Sequence, residues 1–100
     1  MTIILKSWIY EEIQSKAFCK GKTIVWNKNF EYDKNGKEIV TYTIKVNGIV
    51  RETEKAICFD CVYWYHGSRT VNFTEHTGYK VWIPKSAILE YDNRGFAVAM

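Results

Sequence analysis

Apolar positions near the start of the chain recur at helical spacing. In SWIYEEIQSKAFCKG, residues 7–21, Ile9, Ile13 and Ala17 fall on one stripe, with Trp8 and Phe18 on its flanks. Ser7 can cap the start, Glu11 and Glu12 stand in the early turns, Lys16 and Lys20 stand late, and Gly21 can end the segment. One amphipathic helix packed on an apolar surface is expected, with Cys19 in its last turn.

From Thr23 the period changes to two. TIVWNKNFEYD, EIVTYTIKV and IVRETEKAICFD are rich in β-branched and aromatic residues, and an Asn-Gly pair separates each from the next: Asn35-Gly36, then Asn47-Gly48. Asn-Gly between such runs signals a type I′ hairpin, because both residues accept positive φ. A three-stranded antiparallel meander follows. Within it Tyr42, Ile44 and Val46 alternate with Thr41, Thr43 and Lys45, so one face is buried.

The remainder is less regular. RTVNFTE and YKVWIP read as strands, KSAIL as a turn after Pro84, and GFAVAM as a closing strand. Residues 61–79 are too polar for a core strand throughout and read as a long irregular segment. No repeat, linker or low-complexity tract interrupts the chain. The expected architecture is therefore α+β in a single domain, residues 1–100: one N-terminal helix on a bent antiparallel β-sheet, a meander or small half-barrel.

Composition narrows the class. With 100 residues, of which 47% are hydrophobic and 16% aromatic, the chain can bury one core and is not disordered. No apolar run is long enough to cross a membrane, and the opening MTIILKSW has neither a basic leader nor a cleavage-type site, so a soluble, cytoplasmic protein is expected. The net charge of +3 arises in the first half, where eight lysines face five acidic residues; Lys16, Lys20, Lys22 and Lys28 are its densest part. That excess argues against an acidic DNA mimic. It is also weaker than the basic stripe of most nucleic-acid readers.

The chemistry concentrates in CFDCVYWYH, residues 58–66. Cys58, Cys61, His66 and His76 are four zinc-type ligands within nineteen residues, and Cys19 can substitute for a histidine by bringing the helix end to the sheet. In a straight strand the two cysteines would lie on opposite faces, about 10 Å apart. Binding one metal therefore requires a turn at Phe59-Asp60. The spacing matches neither a zinc finger nor a zinc ribbon. A structural zinc pinning residues 61–79 and two small buried hydrophobes are both open readings; a redox pair lacks the helix N-terminus that stabilises a thiolate. Asp60 and Glu75 are the only carboxylates near enough to serve a catalytic metal. No phosphate loop, nucleophile elbow or His-Glu-x-x-His occurs, and no enzyme activity is expected.

The aromatics suggest recognition instead. Tyr63, Trp64 and Tyr65 are consecutive and must point to two faces, so at least one meets solvent or a partner, whereas Trp26 and Trp82 read as core.

Two segments, TEKAICFD at 53–60 and KVWIPKSAI at 80–88, resemble small proteins carried by phages and mobile elements of Gram-positive bacteria. Among such proteins, a one-domain aromatic-rich chain with a structural zinc looks like an anti-CRISPR. That resemblance implies a phage-encoded, non-enzymatic inhibitor that evades host defence by binding a bacterial type II-A RNA-guided nuclease. It carries no site residues, since anti-CRISPRs share no motif. The alternative from the residues themselves is a small β-rich nucleic-acid-binding protein using the lysines and exposed aromatics.

Overall fold

A computed structural model describes residues 1–66 and 71–91. Strand β1 (Thr2–Lys6) runs directly into helix α1 (Ser7–Cys19). Then come β2 (Lys22–Ile24), β3 (Trp26–Tyr32), β4 (Glu38–Glu52), β5 (Ala56–His66) and β6 (Val71–Pro84). A single 3₁₀ turn (Lys85–Ala87) leads to β7 (Ile88–Tyr91). One helix thus packs on an open antiparallel sheet of seven strands, the α+β class expected from the pattern. The closing strand expected at GFAVAM lies outside the described residues.

The bend in the sheet comes from β4, which is long enough to serve two neighbourhoods. Its first part pairs with β1 and β3, as in Ile44 opposite both Ile3 and Trp26; its last part pairs with β5, as in Ile49 opposite Phe59. Where the partners change, the register shifts between Val46 and Gly48. Val25 sits at this split, its N–H donating to Val62 O and its C=O accepting from Lys45 N, both at 3.0 Å. Strands β2 and β3 therefore diverge from it, β2 along β5 and β3 along β4.

The second Asn-Gly pair is thus not a turn. Asn47 and Gly48 lie inside β4, at the shift that bends it, and the hairpin to β5 falls instead at Thr53–Ala56, where Thr53 N–H donates to Ala56 O at 2.8 Å. The first pair does turn the chain, though not as type I′, because Asn35 does not adopt positive φ. Gly36 does, at +78°; its N–H bonds Asp33 O, and the Asp33 carboxylate accepts from the amides of Asn35 and Lys37 at 2.8 and 2.9 Å. Residues 61–66 and 71–79 also differ from the irregular segment expected. They continue β5 and β6 as one long hairpin whose register shifts near Tyr63.

The helix covers one end of the sheet. Ile9, Ile13 and Ala17 are buried as the stripe predicts, joined by Tyr10. They meet Ile3 and Leu5 of β1, Ile44 and Val46 of β4, and Ile57, Phe59 and Cys61 of β5. Ser7 is the first helical residue rather than the cap; Lys6 precedes it without a side-chain bond, and Gly21 at φ +74° ends the turn as expected. Gln14 fastens the helix to β2: its amide accepts from Ile24 N–H at 2.8 Å and donates to Ile24 O at 3.0 Å, occupying that edge as a neighbouring strand would. No helix among the described residues is long and apolar enough to cross a membrane.

Candidate binding site

The cysteines and histidines singled out by sequence are all described, and the strand separates them. Phe59 and Asp60 lie inside β5, so the turn that a shared metal requires is not made. Cys61 is fully buried on the helix side of the sheet, packed in the core with Phe59; Cys58, also buried, alternates to the other face opposite Trp82. His66 stacks on Phe18 with ring centroids 4.3 Å apart, and His76 stacks on Tyr63 at 5.7 Å. Cys19 is exposed at the helix end. Among the described residues no three His, Cys, Asp or Glu side chains gather where they could hold a metal. Burial, with smaller contributions from Asp60 and Cys58, pushes the Cys61 thiol up to about 12, so at neutral pH it stays protonated, the opposite of what nucleophiles and metal ligands need.

Asp60 acts in the backbone instead. One carboxylate oxygen accepts from Asn47 Nδ2 at 3.2 Å and the other from Gly78 N–H. Asn47 stands at the irregularity of β4, and Gly78 is at φ +104° in β6. A residue expected to form a metal knuckle thus ties the distorted points of two strands across the one between them.

What the fold does assemble is a groove of about 380 Å³ between α1 and β6. The helix contributes Trp8, Glu12 and Lys16, spaced four apart, with Ile9 and Ile13 at the floor and Lys20 just past its end; β6 contributes Tyr79, Lys80, Val81, Trp82 and Pro84. Trp8 is 52% exposed and Trp82 48%, so neither is core, and the core role expected for Trp82 is corrected. Burying the rest of each ring would need an occupant. Three lysines line the groove against one glutamate, and that glutamate is already paired, Lys16 Nζ to Glu12 Oε1 at 3.2 Å. The lining is therefore aromatic with a cationic excess.

The cationic side continues toward the β5–β6 hairpin. Lys20 Nζ lies 5.4 Å from the Tyr79 ring centroid, and Lys22 Nζ lies between 5.4 and 5.7 Å from the rings of Tyr63, Tyr65 and Tyr79. Such contacts hold an ammonium group in place without neutralising it. Tyr63 O–H donates to Tyr65 at 3.1 Å, and that bond together with burial raises the Tyr63 phenol above its ordinary value. Of the consecutive aromatics, Tyr63 and Tyr65 share a face, Tyr63 buried and Tyr65 exposed further along the strand, while alternation sends Trp64 to the other face.

Comparison with protein-family models, with curated proteins and with solved structures finds no match for this chain. The groove was legible only in halves: the four-residue spacing of Trp8, Glu12, Lys16 and Lys20 marks one wall, and the β6 run that holds Tyr79, Lys80, Val81, Trp82 and Pro84 supplies the other. That the walls face each other depends on the path of the chain between them.

Proposed function

We propose that this protein is a non-catalytic binding module whose working face is the groove between α1 and β6, and that it inhibits a bacterial RNA-guided nuclease by occupying it. The observation that carries the reading is the pair of half-exposed indoles, Trp8 and Trp82, on the walls of one groove. Tryptophans in that state are the residues from which interfaces draw most of their binding energy, each worth about 2 kcal/mol or more when buried by a partner. The partner class rests on the resemblance of residues 53–60 and 80–88 to phage-borne proteins. The test is DNA cleavage by a type II-A nuclease loaded with guide RNA: the protein, added before target DNA, suppresses cleavage near equimolar amounts. Unchanged cleavage at large excess would reject the inhibitor reading.

A second reading is favoured by the lysines. Lys16, Lys20 and Lys80 beside Trp8, Tyr79 and Trp82 suit a single-stranded nucleic acid, phosphates on the ammonium groups and bases on the rings. Binding of an oligonucleotide would then weaken steeply with salt as counterions are released. Lack of binding at low salt would remove this reading and leave the first intact.

A further inference from the structure

The site above leaves β3 without a role, and among the described residues β3 is an exposed edge strand. Among the described residues it pairs with β4 alone. Six of its seven residues are exposed, and its pairing with β4 runs from Trp26 to Tyr32 without a register shift. It contains no glycine or proline. Edge strands usually carry a device that discourages a further strand: a proline, a bulge, a covering element. β3 carries none of these; its charges are Lys28, which stands with Trp26, Phe30 and Tyr32 on one face, and Glu31 on the other, and Trp26 and Phe30 are 43% and 57% exposed.

Its hydrogen-bonding parity fixes how another strand would add. Because Val25 C=O accepts from Lys45 N–H, the odd-numbered residues of this stretch direct their backbone groups to β4. The even-numbered ones, Trp26, Lys28, Phe30 and Tyr32, direct theirs outward. An antiparallel partner must match these four. The strand matches itself: a two-fold axis at Asn29 sets Lys28 opposite Phe30 of the second copy and Trp26 opposite Tyr32, using the whole strand. It repeats between chains the contact that Lys28 makes within one, where its ammonium lies 4.9 Å from the Phe30 ring. On the opposite face Asn27 meets Glu31, so no like charges oppose. Moving the axis to Lys28 sets two lysines face to face, and moving it to Phe30 shortens the overlap.

We propose that β3 is a self-association edge, pairing antiparallel about Asn29 with β3 of a second copy to extend the sheet across a dimer. The proposal is independent of the groove.

Sedimentation equilibrium over a range of concentrations tests it, with melting in dilute solution as the check on folding. The full chain is expected to dimerise. Phe30→Lys opposes Lys28 of the second copy with a like charge at two symmetric positions and raises the dimer dissociation constant about tenfold or more. Adding Lys28→Glu to that variant sets glutamate opposite lysine and restores the dimer. Lys28→Pro removes an outward N–H that β4 does not use, so it keeps the monomer fold and abolishes pairing. A wild-type chain that stays monomeric at every concentration, or a Phe30→Lys dimer as tight as wild type, overturns the proposal. Failure of the double variant to recover overturns the register.

Discussion

Among the described residues β3 and β6 each have a single strand neighbour, yet they have been treated oppositely by the sequence. β6 is long and interrupted: Gly78 breaks its conformation, its register with β5 shifts, Pro84 ends it, and α1 stands alongside with the groove between. It is also fastened from several directions, by Asp60 to Gly78, by Lys45 to Glu75 at 2.7 Å and, just past its end, by Lys85 to Glu52 at 2.6 Å. β3 is short, regular and aromatic, with the side-chain bond from Asn29 to Thr43 at 2.8 Å along its length. The difference separates two uses of exposed aromatic surface. On β6 it is recessed and bordered by charge, which suits a specific partner; on β3 it lies along a flat edge, which suits another strand.

The largest test of this contrast uses one chemical change at two depths. Phe59→Ala, opposite Val81 of β6 and fully buried, should cost about 3–5 kcal/mol in urea unfolding, whereas Phe30→Ala on exposed β3 should change the dilute monomer by about 0.5 kcal/mol or less. Comparable losses would mean that β3 is part of the core.

Next in size is the alkaline limb of stability. The Cys61 thiol ionises near 9.0 when free of the fold but near 12 within it, so the unfolded chain loses its proton first. Stability contributed by the protonated thiol is then complete below about pH 9 and lost as pH rises toward 12, by up to about 1.4 kcal/mol per unit. Cys61→Ala should flatten that limb. With native protein a thiol reagent should titrate exposed Cys19 alone, and all three cysteines after denaturation.

Asp60→Ala releases the bonds to Asn47 and Gly78 together and should cost about 1–2 kcal/mol, with faster hydrogen exchange at the Gly78 amide. Smallest is Glu75→Ala: its partner and itself are both substantially exposed, and double-mutant analysis with Lys45 should find about 0.5 kcal/mol or less.

These contrasts also mark what a reader of the chain alone can see. The stripe of Ile9, Ile13 and Ala17 and the alternation of Tyr42, Ile44 and Val46 are local, and the helix and the meander follow from them. Asn47-Gly48 has the same local signature as Asn35-Gly36 and a different fate, because it is the junction with β5 and β2, not its own neighbours, that keeps β4 extended through it. Trp26 and Trp82 look like core in apolar runs, but each stands on a strand with a single strand neighbour among the described residues, and both stay about half exposed. Cys-x-x-Cys is compatible with a turn or a strand; once β5 continues through Asp60, the period of two sends the thiols apart. The groove joins positions about seventy residues apart in sequence, and nothing local announces that meeting.

The central claim is that the groove, and not the β3 edge, engages the partner. Binding to a type II-A nuclease, measured by calorimetry with wild type, the Trp8→Ala/Trp82→Ala double variant and Phe30→Lys side by side, addresses it most directly. The account predicts that the double tryptophan variant weakens binding by about thirtyfold or more while Phe30→Lys binds as wild type does. Equal binding by wild type and the tryptophan variant, or a loss confined to Phe30→Lys, would contradict it.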